Sequence, residues 1–390
     1  MSAPVSAEQL TGYAGEVVVD LDAIAANVAA LAGHAPTAQV MAVVKADGYG
    51  HGLLPAARAA LAGGATWLGV AQVAEALALR TGGIDARILC WLYAPGGDLA
   101  AAVRADVDVS VAARWALEEA VAAAADSGRT ARIHLKADTG LGRGGCMPNR
   151  WPDLVDAALA AEADGAVRVV GVWSHLAFAD APQHPTVRRQ AEVFADAVAV
   201  ATARGADLEV RHLANSAAVL TTPDVHLDLV RPGLAVYGLS PVPGLGDPAS
   251  YGLRPAMTVR SRVALVKRVG AGQGVSYGHT YTTAEPTTLA LVPLGYADGV
   301  PRHASGAGPL SVGGRRHSVA GRVCMDQVVV DLGPDGGDVR EGDEVVLFGP
   351  GDDGEPTAQD WAEAAGTISY EIVARMSSRL PRRYTGEVPR

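Results

Sequence analysis

From about residue 40 to residue 237, short apolar runs rich in β-branched residues alternate with alanine-rich stretches. No other feature limits the possible folds so strongly. The runs at 40–44, 66–70, 87–91, 107–111, 131–136, 167–173, 209–213 and 227–230 read as buried strands, and the stretches between them, such as 55–62, 112–125, 151–163 and 186–204, read as helices. Strands that recur with helical crossovers pair in parallel, because a parallel neighbour cannot be reached by a tight turn. Eight such units in a segment of this length predict a (β/α)8 barrel of the TIM type. An open doubly wound sheet is the competing α/β arrangement, but no GxGxxG follows an early strand.

The rhythm stops at 240–255, where Pro241, Pro243, Gly244, Gly246, Pro248, Gly252 and Pro255 crowd together. Beyond it, β-branched alternation with glycine turns predicts strands at 257–266, 288–292, 318–323, 328–331 and 344–348 and a helix at 357–365. The expected organisation is an N-terminal segment at 1–15, a barrel at 16–240 and a β-rich C-terminal domain at 241–384. The run 16–20 reads as an early strand that can pair with the second domain. A length of 390 residues fits two domains. The formal charge of −10 disfavours nucleic acid or an anionic membrane as partner. Cys90, Cys146 and Cys324 are few, odd in number and far apart, which fits a reducing compartment and gives no zinc spacing. Residues 1–17 lack the cationic start and apolar core of a signal segment, so a cytoplasmic protein is expected.

Lysine is scarce: of 32 Lys plus Arg, only Lys45, Lys136 and Lys267 are lysines. A lysine retained against that bias points to chemistry that a guanidinium cannot do, such as condensation with a carbonyl. Lys45 ends the first strand of the rhythm, and desolvation there lowers its pKa and favours a Schiff base. An ordinary strand-end lysine is the alternative reading. Further polar residues follow the strands: Lys136, Asp138, Thr139, Gly140, Gly142 and Arg143 the fifth, Ser174 and His175 the sixth, Asn215 and Ser216 the seventh, Arg231 and Gly233 the eighth. Active sites of such barrels form at this rim, and phosphate binds near its last loops. Ser216 and the Gly233 amide suit that role. A Schiff-base lysine beside a phosphate site suggests pyridoxal phosphate, with a cofactor-free Schiff-base aldolase as the alternative.

Residues 15–384 resemble the bacterial alanine racemases, which are barrel-type pyridoxal-phosphate enzymes. The resemblance rests on Val44-Lys45, Tyr49-Gly50-His51-Gly52, the run from Lys136 to Arg143, Ala214-Asn215-Ser216 and Val230-Arg231-Pro232-Gly233. It continues through Val275-Ser276-Tyr277-Gly278, the run from Gly295 to Gly299, Cys324-Met325-Asp326-Gln327 and Ile368-Ser369-Tyr370-Glu371. Asp47-Gly48 departs from the Asn-Ala frequent in the family.

The resemblance implies an isomerase that interconverts L- and D-alanine by two bases and supplies D-alanine for peptidoglycan. Lys45 is then the cofactor lysine and one base, and Tyr277 the other, supported by Arg143 and His175. Tyr49, Asn215, Ser216, Gly233, Leu234 and Tyr370 fall at the cofactor, mostly its phosphate, and Arg231 at the pyridine nitrogen. Arg143, Met325 and Tyr296 fall at the substrate, with Met325 reaching across the interface of a homodimer whose sites are composite. Lys136 matches a lysine that is carbamylated in some members; a salt bridge is the other expectation. A racemase of wider range, a decarboxylase of this fold, a pyridoxal-phosphate carrier and an antibiotic-sequestering protein are the alternatives. Absence of a signal segment and presence of Tyr277 favour the alanine enzyme. His34, His134, His184, His226 and His317 read as ordinary surface or core histidines, and Lys267 as solvent-facing.

Overall fold

The computed structural model describes residues 12–387. The chain divides into two compact units. One comprises Asp22–Gly48 and Leu53–Arg254; the other comprises Tyr49–Gly52, Pro255–Glu387 and the strand β1 (Gly15–Asp20).

The first unit is built on eight parallel strands: β2 (Gln39–Val43), β3 (Trp67–Val70), β4 (Arg87–Cys90), β5 (Asp108–Val111), β6 (Ala131–Lys136), β7 (Val167–Trp173), β8 (Val210–His212) and β9 (Leu229–Val230). They pair in the order β8-β7-β6-β5-β4-β3-β2-β9. The two ends of this sheet meet through a parallel bridge between Asn215 and Arg231, with the Arg231 N–H donating to the Ala214 carbonyl at 2.9 Å. The (β/α)8 expectation therefore holds, with all eight strands in their expected places. β9 starts later than the apolar run because Leu227 sits at φ +56°, which breaks extended pairing. Alanine explains the helical layer. In the helix Arg114–Ser127 the buried face is Ala116, Leu117, Ala120, Ala123 and Ala124, a helical period of mostly small side chains. Inside, Met41, Trp67, Leu89, Val210 and Leu229 form a buried cluster against Trp91. Fully burying each such large side chain contributes roughly 1.5–3 kcal/mol. The Pro/Gly-rich stretch is anchored to this unit: the Asn27 amide nitrogen donates to the carbonyls of Val236 (3.2 Å) and Arg254 (2.9 Å), and its oxygen accepts the Arg254 N–H at 2.8 Å.

The second unit contains β10 (Met257–Arg262), β11 (Leu265–Val269), β12 (Gly274–Val275), β13 (Tyr281–Thr282), β14 (Thr287–Val292), β15 (Pro309–Val312), β16 (Arg315–Ser318), β17 (Val328–Asp331), β18 (Glu344–Phe348) and β19 (Arg382–Thr385). A six-stranded sheet runs β16-β15-β18-β10-β1-β19, a three-stranded one β11-β14-β17, and β12 pairs with β13. The early strand β1 does pair here, antiparallel to β10 and parallel to β19. Its buried Glu16 is matched by Arg260 and Arg383. Two expectations need correction. The run 257–266 is not one strand: Val263 donates to the Asp343 carbonyl and Ala264 to the Leu291 carbonyl, so the chain changes sheets between β10 and β11. The run 318–323 is not a strand beyond Ser318, because Gly321 turns at φ +81° with a Cβ position only 2.7 Å from the Val275 carbonyl. The helix Ala358–Ala365 is closed at its start by a capping box between Thr357 and Asp360.

Candidate active site

Lys45 follows β2 and opens a left-handed turn. Ala46, Asp47 and Tyr49 have φ of +54°, +54° and +52°, and Gly48 has +60°. Each non-glycine residue in this region costs roughly 1–2 kcal/mol, so the surroundings must impose it. They do so through three hydrogen bonds. The Ala46 N–H donates to Glu75 Oε1 (2.6 Å), the Gly48 N–H to the Val44 carbonyl (2.9 Å), and Asp47 Oδ1 accepts the Leu53 N–H (2.7 Å). A Cβ at Gly48 would lie 3.0 Å from that of Ala56, so the departure at Asp47-Gly48 suits a tight turn. Lys45 Nζ lies 5.9 Å from the centre of the Trp91 ring. Burial lowers its pKa and the Arg143 charge lowers it further, against an opposing pull from Glu75.

The loop after β6 doubles back on itself. Cys146 donates to the Lys136 carbonyl at 2.7 Å, and Asp138 Oδ1 accepts the amides of Gly140 (2.9 Å) and Gly142 (3.2 Å). This fold-back carries the exposed Arg143 close enough to shift Lys45, Lys136 and His175. Buried Gln190 ties the loop to the end of β7, donating to Thr139 Oγ1 (3.0 Å) and the His175 carbonyl (3.1 Å). Lys136 Nζ and the Arg231 guanidinium both lie over Trp173, at 4.3 and 4.9 Å from the ring centre. Burial first, then Arg143 and Arg231, bring the Lys136 pKa down to about 8. Among the described residues Lys136 forms no ion pair, so the expected salt bridge is not made. His175 is pushed down to about 3 by burial and then by Arg231, Arg143, Lys136 and Lys45, which leaves it neutral near pH 7. Arg231 is buried, and burial lowers its pKa to about 9. Its Nη2 donates to the Ser174 carbonyl at 2.7 Å and its Nη1 contacts His212 Nδ1 at 3.1 Å. Among the described residues no acceptor meets its Nε–H. Beside it, Ser216 Oγ accepts the amides of Gly233 (2.8 Å) and Ala235 (3.3 Å), Asn215 caps the next helix, and Leu234 is fully buried. The C-terminal rim thus gathers Lys45, Lys136, Arg143, His175, Asn215, Ser216, Arg231, Gly233 and Leu234. Its excess of cations suits an anion carrying a carbonyl.

The other expected site residues lie in the β-rich unit. Tyr49 is buried against Tyr370 with ring centres 6.2 Å apart, and burial with that neighbour raises its pKa. Tyr277, Tyr296 and Met325 are 70%, 38% and 52% exposed. Their three motifs converge. Ser276 Oγ lies 3.3 Å from Cys324 Sγ, the Tyr296 amide donates to the Cys324 carbonyl (3.0 Å), and that of Ala297 to the Met325 carbonyl (2.9 Å).

Residues 19–241 match the model for the alanine racemase N-terminal domain, and residues 256–384 match that for the C-terminal domain. The chain belongs to the alanine racemase family. It is 62% identical to an alanine racemase of Frankia casuarinae, over 94% of this chain and 95% of that one. It is 60% identical to that of Streptomyces coelicolor, over 95% of each. The solved alanine racemase of the D-cycloserine producer Streptomyces lavendulae superposes with a TM-score of 0.94 at 58% identity, covering 96% of this chain and 97% of that one. A family member with this fold is an isomerase.

Several residues at the racemase rim escaped the sequence reading. Glu75 and Gln190 were missed because each lies inside a helix and bonds to loops distant in sequence. Behind the rim, His212 was passed over and His134 was read as a surface or core histidine; both are fully buried and hydrogen-bonded to each other at 2.9 Å. A signal was present: a period of two places Arg132, His134 and Lys136 on one face of β6.

Proposed function

We propose that this chain interconverts L- and D-alanine with pyridoxal 5′-phosphate held covalently by Lys45, and supplies D-alanine for peptidoglycan in the cytoplasm. The observation that carries this reading is Lys45 itself, an amine at the barrel rim made less basic first by burial and then by the Arg143 charge. The rim fits the cofactor. Lys45 suits its carbonyl, the Ser216 hydroxyl with the Asn215 and Gly233 segments suits its phosphate, and the unused Arg231 Nε–H suits its ring nitrogen. Pyridoxal phosphate, when bound there, supplies the conjugated electron sink that makes the Cα proton of the amino acid removable.

Racemisation requires a proton to leave one face of Cα and another to arrive on the opposite face. Lys45 Nζ serves one face, and burial, by disfavouring its charged form, makes the neutral amine that accepts a proton easier to reach. The Tyr277 phenol serves the other. Free tyrosine ionises near pH 10, so a basic Tyr277 needs cationic help. Neutral His175 offers it a hydrogen bond, and the charge comes from Arg143 and Arg231. Arg231, held in place by three acceptors, would keep positive charge beside the cofactor's ring nitrogen. Arg143 with the Met325 backbone and Tyr296 holds the substrate carboxylate. Tyr49 and Tyr370 complete the phosphate end. Lys136 carries a carbamate, formed when its amine adds to CO2 and releases a proton; a pKa of about 8 leaves enough neutral amine for this. The exposed group of Tyr277, Tyr296 and Met325 supports a homodimer in which this face of one subunit completes its partner's barrel site.

Borohydride reduction followed by peptide mapping tests the assignment, together with Cα exchange over a panel of amino acids. A pyridoxyl group on Lys45, lost with all racemisation in Lys45→Ala, is expected. A label on Lys136 or Lys267 would contradict it.

A further inference from the structure

Behind the rim, a line of buried polar groups runs down the barrel interior to the opposite end. Arg231 Nη1 lies 3.1 Å from His212 Nδ1, His212 Nε2 lies 2.9 Å from His134 Nδ1, and His134 Nε2 lies 3.1 Å from Asp108 Oδ2. The histidines are fully buried, and Arg231 and Asp108 are nearly so. At the far end Asp108 starts β5 and also receives Arg87 (2.9 Å) and Arg132 (3.0 Å).

We propose that Asp108, His134 and His212 form a one-directional hydrogen-bonded relay that orients Arg231, which makes them positioning residues for the reaction at the rim. Hydrogen-bond chemistry sets the direction. A guanidinium can only donate, so His212 Nδ1 accepts and His212 carries its hydrogen on Nε2. That hydrogen points at His134 Nδ1, which must accept, so His134 also carries its hydrogen on Nε2 and donates to the carboxylate. Both rings are then neutral in the same tautomer. A second proton on either ring would bring two N–H groups face to face somewhere along the line. Each bond polarises the next, so the remote carboxylate strengthens the hold of His212 on Arg231.

The packing around the line is built for it. Trp173 stacks on His212 with ring centres 5.7 Å apart and planes 1° from parallel. Trp67 meets His134 edge-on at 5.7 Å. On β7, Gly171 leaves room for the His134 ring: a Cβ there would lie 2.6 Å from its Nδ1. The pairing of β6 with β7 also shifts register between Ile133 and His134. These features hold two rings in one orientation.

The role of Arg231 rests on the proposed cofactor site, but the relay itself does not. The test is ring nitrogen NMR on the full-length protein labelled with 15N-histidine, with and without pyridoxal phosphate. Both His134 and His212 are expected as neutral Nε2–H tautomers in each sample. A cationic ring, or an Nδ1–H tautomer on either, overturns the relay whatever the enzyme does, and this measurement needs no variant. His134→Leu removes the acceptor for His212 while leaving Asp108 its arginines. In the loaded protein it should lower kcat by about tenfold with KM within about twofold of wild type. His134→Asn, whose side-chain oxygen can replace Nδ1, should recover most of that loss. Unchanged kcat in a folded, loaded His134→Leu enzyme overturns the positioning role. Nε2–H tautomers in a protein without racemase activity would instead refute the functional reading and leave the relay standing.

Discussion

Lys136 shows how one residue's surroundings become a measurable property of the whole chain. Its folded pKa of about 8 lies below the ordinary lysine value of 10.5, because burial and the cations Arg143 and Arg231 disfavour its charge. Below about pH 8 both folded and unfolded chains carry the proton, and the folded chain bears the full penalty. Between about 8 and 10.5 the unfolded chain binds more protons, so stability rises with pH and the penalty disappears. Lys136→Met should therefore raise Tm below pH 8 in carbonate-free buffer, with a gain that shrinks toward pH 10.5. Thermal melts across that range check this, and a gain that grows with pH would contradict it. Lys45 and Lys136 were legible because lysine is rare here and both follow strands. Among the charges that tune them, Arg143, Asp138 and Arg231 were legible too, but Glu75 was not, because it lies inside a helix and reaches the rim only through the fold.

At the scale of elements, the turn after Lys45 depends on glycine for two separable reasons. Gly50 has φ +82°, and a Cβ there would lie 2.3 Å from the Val373 carbonyl. Gly128 also has a positive φ, +68°, but nothing within 4 Å of its Cβ position. Gly50→Ala should cost about 2–4 kcal/mol and Gly128→Ala only about 1 kcal/mol, read by urea denaturation. Equal losses would mean that the close approach does not matter. Strand positions were legible because the barrel strands are buried on both faces and read as apolar runs bounded by glycine turns. Where a run continues across a change of sheet, as at Val263 and Ala264, apolar pattern alone cannot mark the break. Left-handed backbone at Ala46 and Tyr49 was equally invisible, since neither residue type favours it. The short β15 and the paired β12 and β13 carry too few residues for a period to register.

For the whole molecule, two units with different architectures carry complementary chemistry. The barrel unit concentrates Lys45, Lys136, Arg143 and Arg231 at one rim, and the β-rich unit presents Tyr277, Tyr296 and Met325 to solvent. The proposed two-base mechanism draws one base, Lys45, from the barrel unit and the other, Tyr277, from the β-rich unit. Recognition of the family rested on many short motifs in one order, spread over both units. The buried line from Arg231 to Asp108 was missed because its members come from three strands and the segment after β9 and share no motif. The central claim, that Lys45 and Tyr277 serve opposite faces, is tested most directly by deuterium wash-in from heavy water into each enantiomer of alanine. The sample is cofactor-loaded Tyr277→Phe. Racemisation should fall in both directions together, because every turnover needs both groups. Exchange at Cα of D-alanine should survive far better than exchange at L-alanine, since Lys45 can remove and return the proton on its own face. Equal loss of exchange from both enantiomers would contradict the two-base assignment and leave Tyr277 only a positioning role.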